Sequence, residues 1–402
     1  MIKKSTVLFI GIVLFPIMHL LNINVDNNMG TLCSYYDEII GCLCVVYITA
    51  LTISNKLFSA DRTIYSILIA LTGIGIVSNC LSGIEQKTFA ILVDIVSLWK
   101  PLSCYLAFKH LVIDCFDDVI KKLASIAKLT ILFVTIVAVI GQFVNIGVTQ
   151  EVSEFGVKTF VFFWDNTLHT GWLLYGCVLV LAASRISNKA FFLYLLLVMI
   201  PLFLTSAFTV FCWMILEALL LLFLKKNRIL KKYQVVLLSI PVVTTSMADI
   251  SKYILNDSAP RAKLIRGGIE IARKYFPFGS GFATFGSEMA SRYYSPIYRQ
   301  FGWTRSWGLG IKDNQYLNDN FFASIVGQFG WIGFFLYLIG IFKIFQDVNS
   351  HLLCKRERAT ALAIVLTLAA SMLISATGKS ALGAFAFSLL GMTASHVESK
   401  KL

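Results

Sequence analysis

The sequence is dominated by apolar runs long enough to cross a lipid bilayer. A membrane helix needs about 20 mostly apolar residues, and twelve stretches meet or approach that length: 5–22, 33–54, 63–81, 88–108, 124–145, 168–184, 190–205, 207–224, 233–249, 318–342, 359–377 and 380–395. Of the 402 residues, 57% are hydrophobic and only 14% are charged. This composition excludes a water-soluble globular domain and predicts an all-α polytopic membrane protein.

The distribution of Lys and Arg predicts the orientation of these spans. Positive charge is retained on the cytoplasmic side of short connections. Starting from Lys3 and Lys4, alternate connections are rich in Lys and Arg, whereas the opposite short connections hold only Lys87, Lys158 and Lys379. We therefore expect both termini to be cytoplasmic. The apolar run after Lys4 is long and lacks a cleavage site of signal-peptide type, so we interpret it as a retained first span.

One long segment, about Ile250–Leu317, falls on the outer side in this topology. It divides the chain into residues 1–249 with nine spans, the loop 250–317, and residues 318–402 with three spans. The loop has ten basic and four acidic residues, with arginines interleaved among tyrosines. Guanidinium groups suit phosphate oxygens, and aromatic rings suit sugars or lipid. Nucleic acid is the wrong ligand for this compartment, and a membrane-anchored diphosphate carrying sugars fits better. The alternative is that these basic side chains only contact the membrane surface and its anionic lipids.

The loop has two local features of its own. Residues 262–276, "AKLIRGGIEIARKYF", predict a short amphipathic helix lying on the outer membrane face and ending before Pro277. Gly279 and Gly281 then predict a tight bend. As a phosphate-binding loop this bend is a weak signal, because it lacks the lysine and the preceding strand of a P-loop.

The triplet Asn318–Asp319–Asn320 stands directly before a predicted span. One Asn or Asp there is explained by helix capping. The alternative is a functional site, because three consecutive polar side chains at the membrane boundary exceed what a cap requires. Which interpretation holds depends on what faces the triplet from the rest of the chain.

Together these features resemble the O-antigen ligase and O-antigen polymerase superfamily. The resemblance rests on Arg261, the Pro277-Phe278-Gly279-Ser280-Gly281 turn, the pair Asp319-Asn320, and the later Gly330-Trp331-Ile332-Gly333. The layout of about a dozen spans with one late outer loop is also similar. Ligases typically have His where this chain has Asp319, which favours the polymerase branch. The "LTSAF" turn at 204–208 is not followed by the Arg that many members carry.

The resemblance implies a polymerase of surface polysaccharide, O-antigen or capsule, in the bacterial inner membrane. It would join undecaprenyl-diphosphate-linked oligosaccharides by glycosyl transfer on the periplasmic side, without a cofactor or a metal. Membrane lipid and a chain-length regulator protein are the further partners considered. The implied catalytic residues are Asp319, Arg261 and Arg266. The implied substrate-binding residues are Asn320, Arg273, Arg292, Arg299, Tyr293, Tyr294, Gly279 and Gly281.

Two other functions stay open. One is an O-antigen ligase that transfers polysaccharide to the lipid A core; the other is a lipid-linked oligosaccharide flippase or transporter. Asp94, Lys100 and Glu217 lie within predicted spans, where ionisable groups usually face a cavity or one another. Asp94 and Lys100 are six positions apart and need not pair. We expect Glu217 only to hold the bundle together.

Overall fold

The protein is almost entirely helical. The computed structural model describes residues 3–24, 30, 33–153, 156–164, 166–224, 255–351 and 354–398, with six isolated positions between 234 and 251. One small antiparallel hairpin, β1 (Thr149–Val152) with β2 (Lys158–Phe160), interrupts the helices. The all-α class predicted from composition is therefore the class observed in this part of the chain.

The helices coincide with the apolar runs of the sequence. The longer ones are α1 (Lys4–Asn24), α2 (Tyr36–Ile53), α3 (Ser59–Ser82), α4 (Thr88–Leu111), α5 (Phe116–Phe143), α6 (Thr167–Ala183), α7 (Asn188–Leu204), α8 (Phe208–Phe223), α9 (Pro260–Lys274), α12 (Phe321–His351), α13 (Lys355–Ile374) and α14 (Ala381–Glu398). Two short helices, α10 (Glu288–Arg292) and α11 (Pro296–Gln300), lie in the loop, and 3-10 turns occupy 113–115, 303–305 and 377–379.

Six of the described helices are long and apolar enough to cross a membrane: α1 to α5 and α12. The helices α6, α7, α8 and α14 are also apolar but shorter. Large apolar side chains point outward along several of them, including Val46, Leu129 and Leu196, each about two-thirds exposed. Exposed apolar stripes of this kind suit lipid contact. The ninth predicted span, 233–249, lies outside the described residues apart from a few isolated positions.

Helix α4 lies at the centre of the bundle. Its second half, Leu98–His110, is buried on every side, and both α2 and α14 pack along it. Close packing with α14 depends on Gly391, because a Cβ there would meet the backbone of Tyr105. Small residues at such crossings let membrane helices approach closely. Every ionisable residue on this half of α4 must therefore find its partners inside the protein.

Buried charges join α3, α4 and α12 at one end of the bundle. Lys109 Nζ lies 2.9 Å from an oxygen of Asp61 and 2.6 Å from one of Asp347. The ring of His110 approaches the other oxygen of Asp61 at 2.9 Å. Buried charges are tolerated when they are paired and hydrogen-bonded in this way. This cluster explains the otherwise costly lysine at the end of α4.

The loop that follows the undescribed segment folds into a compact body of its own. The predicted amphipathic helix is observed as α9, and it packs on the first half of α12; its predicted place on the outer membrane face stays a prediction. Gly268 makes this possible, since a Cβ there would lie 2.8 Å from the carbonyl oxygen of Ala323. A second hydrophobic cluster, including Leu264, Phe285 and Tyr298, fills the loop. The amphipathic pattern thus predicts α9 itself, but it does not predict which helix α9 packs against.

The Pro277–Gly281 turn is attached to a break in α12. Gly330 has φ +64°, which interrupts the helix and removes its normal pattern of hydrogen bonds. The carbonyl groups that precede the break accept hydrogen bonds from the turn instead. Ser280 N donates to Gly327 O at 3.0 Å, and Gly281 N donates to Gln328 O at 2.8 Å. A broken helix is tolerated in a membrane protein only if other groups satisfy its backbone. The turn meets that requirement. We call the end of the bundle where the Pro277–Gly281 turn contacts Gly330 the loop face.

Substitution of Gly279 should separate the loop from the bundle. Gly279 has φ +79°, and a Cβ there would lie 2.5 Å from Gly330 N. Gly83 is a matched control, because it has φ +64° but open space around it. Each Ala variant incurs the left-handed backbone cost of about 1–2 kcal/mol. We expect Gly279→Ala to lower the melting temperature in detergent well beyond Gly83→Ala. Equal shifts would show that the close contact does not matter.

Candidate functional site

The polar triplet before α12 divides into three separate roles. Asn320 is the helix cap: its Oδ1 accepts from Ala323 N at 2.8 Å, and its Nδ2 donates to Leu373 O at 3.2 Å. Its side chain is fully buried, which gives it a structural role; its predicted substrate contact stays a prediction. Asp319 faces Arg261, and Asn318 lines a cavity. Capping therefore explains one residue of the triplet and leaves two for a site.

Arg261 and Asp319, both predicted to be catalytic, are in direct contact. The Nε and Nη2 atoms of Arg261 lie 2.8 and 2.7 Å from the same oxygen, Oδ2 of Asp319. Both side chains are less than one-quarter exposed, at 22% and 24%. Burial raises the pKa of Asp319, and Arg261 opposes that shift without cancelling it. The pair links α9 to the start of α12, and the guanidinium is held in a fixed orientation.

The other predicted cations lie on the outer surface of the loop. Arg266 pairs with Asp257, and both side chains are more than half exposed. Arg273 and Arg299 are exposed as well. The structure therefore does not bring these three arginines to Arg261 and Asp319. Contact of these arginines with phosphate stays a prediction, and it would take place at an exposed surface and not in an enclosed site.

The predicted tyrosines and glycines have mainly structural contacts. Tyr294 is buried, and its hydroxyl donates to Leu309 O at 3.1 Å. Tyr293 is 37% exposed, with Lys87 Nζ 4.5 Å from its ring centre. Gly279 packs on the break in α12, and a Cβ at Gly281 would lie 2.5 Å from Asn79 N. Both positions require glycine because the backbone of the turn lies so close to Gly330 and to Asn79. Ligand binding by these glycines stays a prediction.

A cavity of about 580 Å³ opens at the loop face between the helix ends and the loop. Of the predicted site residues in the described chain, Arg292 lines it, whereas Arg261 and Asp319 do not. The Tyr35 side chain and Glu288 beside Arg292 raise the pKa of its guanidinium. The walls combine carboxylates, two cations and aromatic rings, which are the groups that bind sugars and their phosphates. The acidic and basic side chains that line it are Asp37, Glu38, Asp94, Glu288, Arg292 and Lys379.

Two adjacent carboxyl groups, Asp37 and Glu38, line one wall of the cavity, and the buried Lys100 lies behind them. Lys100 on α4 is bonded to Asp37, and its Nζ lies 3.2 Å from Oε1 of Glu38. The stem of Lys100 reaches them by passing Gly41, where a Cβ would lie 3.1 Å from its Cγ. Lys100 and Asp94 are not paired with each other, as their spacing predicted. Asp37 and Glu38 were missed, although adjacent carboxylates opening a span that faces a buried lysine are a usable signal.

Asp94 and Lys379 tie the cavity wall to the loop and to α12. Asp94 Oδ2 accepts from Ala283 N at 2.7 Å and from Gln328 Nε2 at 2.9 Å. Lys379, in the turn before α14, donates to Ser324 Oγ at 2.6 Å. Burial lowers the pKa of Lys379, partly offset by the charge of Asp94. Glu217 lies elsewhere, buried in the bundle, and accepts from Thr360 at 2.7 Å; a bundle-holding role for it stays a prediction.

No group of three His, Cys, Asp or Glu residues within the described ranges could hold a metal ion. Compared with known proteins, the chain matches no family model and no curated protein.

The Arg261–Asp319 pair should respond unequally to loss of either partner. Asp319→Asn removes a carboxylate whose burial is already unfavourable, so its effect on stability should be small. Arg261→Gln leaves that carboxylate buried alone, which typically costs about 1–3 kcal/mol. Without Arg261 the folded-state pKa of Asp319 rises further, so the folded protein binds a proton more readily than the unfolded chain.

The measurement is thermal unfolding of both single variants and the double variant against pH. The stability deficit of Arg261→Gln should be small in acid and grow as the pH rises to neutral. The double variant should recover most of it. A deficit that is independent of pH, or no recovery in the double variant, would contradict an interaction between these two charges.

Proposed function

We propose that this protein is a polymerase of surface polysaccharide that joins undecaprenyl-diphosphate-linked oligosaccharide repeat units by glycosyl transfer. The observation that carries the proposal is the contact between separate motif segments. Arg261 bonds to Asp319, and the Pro277–Gly281 turn packs on Gly330. Arg261 and Asp319 are 58 positions apart in the sequence, so these contacts join distant motif segments at the loop face. The resemblance to the polymerase and ligase superfamily rests on these same segments.

The cavity at the loop face supports the proposal chemically. A glycosyl transfer from a membrane-anchored diphosphate needs a site at the membrane boundary, open to sugars and equipped with cations for the leaving diphosphate. Arg292 and Lys379 supply positive charge in the cavity wall, and Tyr35 and Phe89 supply aromatic surface. The proposed role of the Arg261–Asp319 pair is to hold the loop against the start of α12 and to fix the orientation of the guanidinium. Catalysis by Asp319 itself and a role of Arg266 are further proposals.

The test is chain extension. A strain lacking the gene should make lipopolysaccharide or capsule with single repeat units in place of a ladder. Purified protein in liposomes should extend undecaprenyl-diphosphate-linked repeat units into longer chains. A lipid A core with no repeat unit at all would favour the ligase or the flippase. Movement of the lipid-linked unit across the liposome without extension would establish a transporter.

The proposal requires the loop face to be periplasmic. A cysteine at exposed Lys312, in the loop, should react with a membrane-impermeant thiol reagent in intact spheroplasts, above the level of the parent chain. Lys121→Cys is the matched control, because Lys121 is exposed at the opposite end of the bundle, near the start of α5. It should react only after lysis. The reverse pattern would invert the topology and remove the periplasmic site.

A further inference from the structure

The carboxylates of the cavity differ in how fully they are satisfied. Asp94 is buried and already accepts two hydrogen bonds. Glu288 is 65% exposed and pairs with Arg292 at 3.4 Å. Glu38 is different, because its Oε2 atom is buried and accepts no hydrogen bond from an N–H or hydroxyl donor within the described part of the chain; its one close side-chain neighbour besides Lys100 is the carboxyl group of Asp37. A buried carboxylate oxygen without a donor is costly unless a ligand or water supplies one.

The environment of Glu38 is also unbalanced in charge. Lys100 supplies one positive charge to two carboxylates, and it lies closer to Asp37 than to Glu38. Asp37 and Lys100 are at most one-tenth exposed, whereas the Glu38 side chain is 34% exposed. The two neighbouring carboxyl groups therefore share one negative charge that Lys100 does not balance, and Glu38 is the more exposed of the two towards the cavity. A negative group held in place but not neutralised is what a general base requires.

From this geometry we infer that Glu38 is the general base of the proposed glycosyl transfer, with Asp37 and Lys100 as positioning residues. The inference rests on the proposed function. The Glu38 carboxylate takes the proton of the acceptor hydroxyl as that oxygen bonds to the anomeric carbon. The bond from this carbon to the diphosphate oxygen breaks with its electron pair, and the diphosphate leaves beside Arg292 and Lys379. Glu38 then releases its proton to water.

Gly41 belongs to the same arrangement. It lies one helical turn after Glu38, and its missing side chain makes room for the stem of Lys100. Gly41→Ala should displace Lys100 and disturb the position of Glu38 without removing any charge. We therefore expect this variant to lower kcat as well, by a smaller factor than a change at Glu38 itself.

The test uses the full-length protein in liposomes with undecaprenyl-diphosphate-linked repeat units, measuring initial extension rates against substrate concentration and pH. Glu38→Gln should lower kcat by about 100-fold or more and leave KM within about twofold. Its residual rate should lose the wild-type decline in acid. The other titratable groups that contact Glu38 or line the same cavity remain in place: His19, Cys33, Tyr35, Tyr36, Asp37, Cys42, Asp94, Lys100, Glu288, Arg292 and Lys379. Glu151→Gln, an exposed change on β1, is the matched control and should match wild type.

The outcomes distinguish failure of the role of Glu38 from failure of the proposed function. Wild-type kcat in Glu38→Gln, with an active wild-type protein, overturns the inference and leaves the proposed function intact. A rise in KM alone makes Glu38 a binding residue and also overturns it. Absence of extension by the wild type refutes the proposed function instead. If Glu38→Gln does not accumulate, Glu38→Asp keeps the charge but shortens the side chain; an unchanged kcat there counts against a positioned base.

Discussion

The attachment of the Pro277–Gly281 turn to the broken helix α12 determines the rest of the loop face. The break at Gly330 leaves carbonyl groups without their helical donors inside a helix that is long and apolar enough to cross a membrane, and Ser280 and Gly281 provide replacement donors. Because an unsatisfied carbonyl there is strongly unfavourable, the break and the turn stabilise each other. Once the turn is fixed, Phe282 packs between Gly75 and Phe329, and Ala283 reaches Asp94. The cavity lies beside this junction.

Polar groups inside the bundle are arranged at two levels along α4. Lys100 faces the loop side with Asp37 and Glu38, and Lys109 faces the other end with Asp61 and Asp347. In each group, one ammonium meets two carboxylates. In the group around Lys109, the ring of His110 also contacts Asp61 at 2.9 Å, whereas Glu38 has no basic neighbour other than Lys100 within bonding distance among the described residues. The carboxylates around Lys109 are therefore more fully paired than those around Lys100.

The sequence predicted the helices better than it predicted their partners. Apolar runs located nearly every described helix because burial in lipid and helix formation follow from local composition. The proximity of Asp319 to the basic loop was also foreseen from the motif order. The residues that complete the cavity were not, since Asp37, Glu38 and Lys379 come from distant segments and each has an ordinary local explanation. Contacts between segments depend on packing, which one sequence does not reveal.

The loop is held to the bundle chiefly through main-chain atoms. Ser280 and Gly281 use their backbone N–H groups, and even Asp94 binds the loop through the N–H of Ala283. A main-chain donor is the same whichever side chain the residue carries, provided that the backbone can adopt the required shape. The attachment therefore constrains a few glycines strictly and their neighbours hardly at all. Evolution can vary the exposed arginines and tyrosines of the loop, and with them the charge and shape of its surface, without weakening the attachment of the loop to the bundle.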